Sequence, residues 1–419
     1  MKTIEYIEIE GRSIGYWIFL AVLGASAAAG LGASYYMEHH GHWVTGMTNQ
    51  IVWGTPHIFA VFLIVAASGA LNVASVASVF ERVMYKPLSR LSGLLAIALL
   101  IGGLAVLVLD LGRPDRLIVA MTTYNFKSIF AWNIFLYTGF VIIVAAYLWM
   151  MMERRMNRYS QPVGMFAFLW RLALTTGTGS IFGFLVARQA FDAAIMGPMF
   201  VVMSFSYGLA FFILVLMWVY NGAGRLLGDV VLLRLKNLLG VFVAAVLYFV
   251  LAYHFTNLYA TEHHGVERFI LVDGGIYTQI FWIGIVIFGS IIPLLIFYVP
   301  FTGKSRLWIA IGSTLVILGG LAHMVVLIIG GQAYPLVLFP GKEVIESTFF
   351  DGQIASYIPS LPEIVLGVSG IAIALLLVSI ALKALRFLPE SLADNVVFPD
   401  GDAVIGGGGK IPASTTTNA

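Results

Sequence analysis

The side chains able to move a proton in this sequence are few, and they sit in short motifs. WGTPHIFAVF sets His57 directly after Pro56 at the opening of an apolar run. Proline favours the first helical turn, so the imidazole belongs at interface depth. Histidine titrates near neutrality and can hydrogen-bond a quinone carbonyl while exchanging its proton; contact with water or lipid head groups is the plainer alternative. VLDLGRPDRL places Asp110 three residues before Arg113, with Gly112 and Pro114 to stop a helix. There Arg113 and Arg116 either satisfy free helix-end carbonyls or hold a polar head group. In VARQAFDAAIMGP, Arg188 and Asp192 are four apart and share a face if the helix continues, with Gln189 beside them. Tyr124, Asn125 and Lys127, in TTYNFKS, add aromatic, amide and cationic groups.

The elements that must position these groups follow from composition. Of 419 residues, 60% are hydrophobic and 11% charged, against about 25% charged in a soluble domain. This is the balance of an all-α integral membrane protein, and it excludes a disordered chain or a nucleic-acid binder. With no cysteine, disulfides and thiolate-held clusters are excluded, so any iron–sulfur centre must belong to another subunit. Runs such as LLAIALLIGGLAVLVL are incompatible with the alternation of a β-barrel. Apolar runs near the span length predict about ten transmembrane helices, roughly 14–36, 54–80, 90–110, 128–152, 164–187, 197–220, 238–260, 276–300, 307–331 and 362–384. They are expected to form two packed helical bundles with peripheral spans, within a membrane domain of residues 14–388 whose core covers about 50–331.

An even span number puts both termini on one side. Of 23 Lys and Arg, sixteen fall on that side and six opposite, with Arg171 inside the fifth span. The basic side is therefore expected to be cytoplasmic. Residues 1–13 would form a short cytoplasmic N-terminus that reads as a mature start, and 389–419 a flexible cytoplasmic tail. The histidines then mass toward the outer face, with several acids. A long outer loop, about 332–361, with Tyr334, Pro335, Pro340, Glu343, Glu346 and Asp351, suits docking a partner. The stripe Ser68, Gly69, Asn72, Ser75 and Ser78 reads as a helix-packing face. TTGTGSIFG lies within a span and lacks the following Lys of a phosphate loop. EHHG occurs twice, at 38–41 and 262–265, and reads as a polar outer cap. His57, His254 and His323 are the only candidates for haem ligation, too few for two stacked haems but enough for one.

Taken together, VWGTPHIFAVFLIVAASGALNVASV, VLDLGRPDRL, YNFKSIFAWN and RQAFDAAIMGP resemble the NrfD/PsrC family of quinone-interacting membrane subunits. The resemblance covers about residues 50–200, and YYMEHHGHWVTGMTNQIVWG is similar to its DsrP branch, from the DsrMKJOP sulfur-metabolism complex. It implies a subunit without a metal or haem of its own, in the bacterial cytoplasmic membrane, that takes menaquinone or ubiquinone near the outer face. Electrons would pass to an extracytoplasmic iron–sulfur protein (DsrO-like), beside DsrJ-like and DsrM-like cytochromes and a DsrK-like subunit. His57, Asp110 and Asp192 are then expected to handle protons. His57, Arg113, Tyr124, Asn125, Arg188 and Gln189 are expected to bind the head group. A mono-haem cytochrome and an ion-translocating, transporter-like subunit are the alternatives.

Overall fold

The computed structural model of the chain describes residues 5–80, 82–336, 353–397, 404–405 and 409–410. Pro340, Glu343, Glu346 and Asp351 of the proposed docking loop lie outside these residues, as does the tail from 411 onward.

The apolar runs fold as expected into an all-α membrane protein. Nine helices among the described residues are long and apolar enough to cross a bilayer: α1 (Ile14–His40), α2 (Thr55–Ser78), α3 (Met84–Leu109), α4 (Ile129–Met152), α6 (Met196–Gly222), α7 (Asp229–Tyr259), α8 (Ile276–Tyr298), α9 (Arg306–Ala333) and α10 (Leu361–Ala384). The remaining long helix, α5 (Ser160–Gly183), matches them in length but not in apolarity. It carries Arg171, Thr175 and Thr178, all buried among protein atoms, which is how a membrane helix tolerates such groups.

Two bundles result. Helices α2 to α5 pack together, helices α6 to α9 form a second group, and α1 pairs with α10 along the flank of α2 and α3. The bundles meet where α2 crosses α6. A Cβ on Gly69 would fall 1.5 Å from the Ser204 carbonyl oxygen, and one on Gly208 would fall 2.1 Å from Ala70 N. Only glycine permits this backbone approach, so the stripe around Gly69 is the packing face its composition suggested. Ser68 adds a 2.6 Å hydroxyl contact to Thr175 of α5.

Described segments near the N-terminus and after α10 meet at one end of the molecule. Strand β1 (Tyr6–Ile7) pairs antiparallel with β2 (Leu388–Pro389). The tail expected to be free from residue 389 therefore begins in docked structure: Asp394 Oδ1 accepts from Val230 N at the start of α7, and Leu392 N donates to the Leu226 carbonyl. His57, Asp110 and Arg188 lie toward the opposite end, reached by an odd number of crossings from the N-terminus.

Candidate functional site

Helix α2 is held at its first turn by side chains distant in sequence. Gln332, fully buried at the end of α9, accepts from the backbone N–H groups of Val52 and Trp53 at 3.0 Å each. It donates to the Trp53 carbonyl at 3.0 Å and to the Ile328 carbonyl at 2.8 Å. On the other side, Tyr357 Oη accepts from Thr55 N at 2.7 Å and donates to Glu363 Oε1 at 2.6 Å. Burial, and then the bond to Glu363, pushes the Tyr357 phenol well above its usual range. Glu363 also takes the Gly46 and Ser360 amides at 2.8 Å each, the Glu half of a capping box at the start of α10. These bonds fix the segment 52–55 and so fix His57.

Asp110 comes to His57 because α3 ends there. The chain leaves the helix through Gly112 and Pro114, and Arg113 sits outside helical geometry, at φ −141° and ψ 68°. His57 Nδ1 lies 2.9 Å from Asp110 Oδ2, with side-chain exposures of 18% and 1%. Neither Asp110 oxygen nor His57 Nδ1 makes an aligned hydrogen bond among the described residues. The pair is in contact but under-satisfied, a costly arrangement for a buried carboxylate and one found at functional sites.

His57 opens onto a cavity of about 410 Å³ between α2, α3, α4 and α5. Its walls are chiefly aliphatic and aromatic, among them Trp53, Leu107, Phe130 and Phe182, with Ile328 contributed by α9. The polar lining is sparse: Asn133, Tyr137, Thr138 and Thr178 beside His57. Asn133 donates both amide hydrogens, to the Ile129 and Gly177 carbonyls at 2.9 and 3.0 Å, and its Oδ1 has no hydrogen-bond partner among the described residues. Tyr137 and Thr178 pair with each other at 3.1 Å. Trp53 stacks on His57 with ring centroids 6.1 Å apart. A largely apolar cavity with a few polar groups in its lining suits a flat, apolar molecule carrying hydroxyl or carbonyl oxygens.

The other residues singled out from the sequence do not line this cavity. Arg113 turns outward and pairs with Asp115 at 3.0 Å, both more than half exposed. That hydrogen bond raises the Arg113 guanidinium and lowers the Asp115 carboxyl. Tyr124 packs on Phe126 and Phe135, and Asn125 Oδ1 accepts from Lys127 N in an exposed turn. The helix expected to carry Arg188 and Asp192 on one face ends at Gly183. The chain then runs as turns to residue 195, so the two do not pair and Asp192 is exposed. Arg188 instead donates to the Gln50 and Gln332 carbonyls at 2.7 and 3.1 Å, and its partial burial lowers its basicity. It thereby braces the segment leading to His57. The Gln189 carbonyl accepts from His263 Nδ1 at 2.8 Å.

Sequence reasoning missed Trp53, Asn133, Tyr137, Thr178, Gln332 and Tyr357. Trp53 lay inside a quoted motif and Asn133 closed another, so both were within reach. Gln332 and Tyr357 act on α2 from about 280 and 300 positions away, and no local pattern marks them. His254 and His323, named above as candidate haem ligands, line one void of about 20 Å³.

Comparison with known proteins agrees with this architecture. The profile of the family described as polysulphide reductase, NrfD, matches residues 43–335. The chain is 29% identical over 397 residues to the Hdr-like menaquinol oxidoreductase integral membrane subunit of Archaeoglobus fulgidus, covering 94% of this chain and 99% of that protein. It is 23% identical to a selenate reductase subunit of Mesobacillus selenatarsenatis, across 72% of this chain and 79% of the relative. A putative dimethyl sulfoxide reductase membrane subunit from Halobacterium salinarum is 27% identical, over 72% and 74%.

Proposed function

The chain belongs to the polysulphide reductase NrfD family of membrane subunits, and on that premise we propose that it exchanges protons and electrons with a quinol in the His57 cavity. Relatives named as a menaquinol oxidoreductase subunit and as reductase subunits support this reading. The observation that carries it is the conjunction of an apolar cavity of about 410 Å³ with a histidine in its wall whose Nδ1 contacts a buried carboxylate.

The chemistry follows from the geometry. A quinol carries two hydroxyl donors, and the cavity offers His57 as an acceptor, with Asn133, Tyr137 and Thr178 also in its lining. With Nδ1 turned to Asp110, His57 presents Nε2 to the cavity. As the ring is oxidised, Nε2 takes one hydroxyl proton, and the Asp110 carboxylate behind it stabilises the imidazolium. The second proton leaves to the aqueous side, and the two electrons pass to a partner. That partner, in this reading, is an extracytoplasmic iron–sulfur subunit of a sulfur-metabolism complex of the DsrMKJOP type, with this chain as the DsrP-like member. The cation asymmetry supports placing the β1–β2 end in the cytoplasm and His57 toward the outside of a bacterial cytoplasmic membrane. The pocket serves either direction of electron flow.

The test uses the purified complex and a quinol analogue. Saturable binding and quinol-dependent turnover are expected in the natural protein, and both should be lost in His57→Ala and Asp110→Asn. Full activity in both variants would remove the reading.

A further inference from the structure

The second bundle contains a polar cluster that quinol chemistry at His57 does not use. Glu267 lies between α7 and α8, has 0% exposure, and has both oxygens engaged. Oε2 is 2.6 Å from His254 Nδ1, and Oε1 accepts from Asn257 Nδ2 at 2.9 Å. With His254 neutral, that arrangement buries a net negative charge among apolar helices, which is expensive. Adding one proton at Nε2 turns it into a hydrogen-bonded ion pair of zero net charge.

There is a place for that proton to travel. His254 and His323 both line a void of about 20 Å³ whose other walls include Val250, Phe281, Ile285 and Leu327. A water molecule needs about 10–15 Å³ and two or more polar partners. His323 is buried, and its Nδ1 has no hydrogen-bond partner among the described residues. The other titratable groups around the cluster are accounted for. Tyr253 donates to the Ala190 carbonyl at 2.7 Å, and His263 donates to Gln189. Tyr277 packs against Phe269, and Arg268 is exposed and paired with Asp273. Among the described residues, no lysine or arginine lines the void.

One turn of α9 faces both sites. Residues Val325–Gly330 form a π-helical turn, a distortion that recurs at functional positions. Val326 and Leu327 line the void, Ile328 lines the His57 cavity, and the Ile328 carbonyl is bonded to Gln332, which holds Trp53. Residues Ile280–Ile291 of α8, which supply Phe281 and Ile285, are π-helical as well.

We propose that Glu267, His254, one bound water and His323 form a proton-accepting relay in the second bundle, coupled to occupancy of the first-bundle cavity through the turn Val325–Gly330. The coupling rests on the quinol reading of that cavity; the relay itself does not. Its ligand is a proton and its step is simple: His254 Nε2 gains a proton through the water, and no electron moves.

The experiment is infrared difference spectroscopy on the whole complex in lipid nanodiscs, with histidine isotope labels and H₂O/D₂O exchange. A pH-difference spectrum without quinol should show a buried imidazole band that is lost in Glu267→Gln and shifted in His323→Leu. Addition of a quinol analogue should shift the same band in the natural protein. In His323→Leu, turnover should fall and the analogue Kd should shift, each by about twofold to thirtyfold, the range of inter-site coupling energies. If Glu267→Gln does not assemble, His323→Leu carries the test alone. A titration unchanged in the assembled variants overturns the relay. A titrating band that ignores the bound analogue overturns the coupling. An analogue that fails to bind the natural complex strikes the quinol reading instead, and the pH-difference arm still decides the relay.

Discussion

Among the described residues, the same chemical pair, a histidine Nδ1 against a carboxylate, occurs once in each bundle with opposite surroundings. In the first bundle, Asp110 has no aligned donor among those residues and His57 opens on a cavity of about 410 Å³. In the second, Glu267 is satisfied twice and His254 faces a void of about 20 Å³. Volume and unspent hydrogen-bonding capacity, not residue type, separate a site that suits a lipid-soluble diol from one that suits a water and a proton. The difference arises in packing. Bulky walls and a gap between α3 and α4 leave space beside His57. Gly289 and Gly319 bring α8 and α9 so close that a Cβ on Gly319 would fall 2.2 Å from Gly289 Cα.

The comparison breaks most readily at the histidines. His57→Ala should lower quinol turnover by about a hundredfold or more, as expected for a lost proton acceptor, and His254→Ala should lower it far less. Equal losses, measured in steady-state assays of the complex, would erase the distinction. Filling the cavity is the next largest effect. Leu107→Trp should raise the Kd of a quinol analogue by about tenfold, roughly 1.4 kcal/mol, with the analogue-free pH-difference spectrum of the second bundle unchanged. Removing a polar group from the lining in Asn133→Leu should raise KM by about fivefold, in line with a single hydrogen bond of about 1 kcal/mol.

Gln332→Leu tests the brace rather than the pocket. It strands the Val52 and Trp53 amides and should cost about 1–3 kcal/mol of stability, read as a lower Tm, together with weaker quinol binding. The smallest effect belongs to Arg113→Gln. This exposed pair contributes little, so turnover should change by less than about twofold. Asp115 is held below the usual carboxylate range by Arg113, so the pair's contribution is present above the unfolded pKa and fades as pH falls through the folded one. In Arg113→Gln the Asp115 carboxyl should titrate closer to its ordinary value, measurable with a carbon-labelled aspartate.

Much of the site was legible locally. Pro56 marked the helix start that sets the depth of His57, and Gly112 with Pro114 marked the end of α3 beside Asp110. The spacing of Arg188 and Asp192 misled because it presumes a helix. Arg188 is drawn to the Gln50 and Gln332 carbonyls, and the chain turns instead. Arg113 was in the right motif but faces away, since proximity in sequence to Asp110 says nothing about which side of the turn a side chain takes.

The sequence alone settled that the chain lies in a bilayer, where its long helices run, and that no thiolate cluster resides in it, because hydropathy and residue identity act without reference to distant partners. Only the folded chain decided which imidazole meets which carboxylate, how much empty volume adjoins each pair, and that Gln332 and Tyr357 hold the start of α2. Those are properties of contacts between residues as many as about 300 positions apart, and contact geometry depends on how whole helices pack.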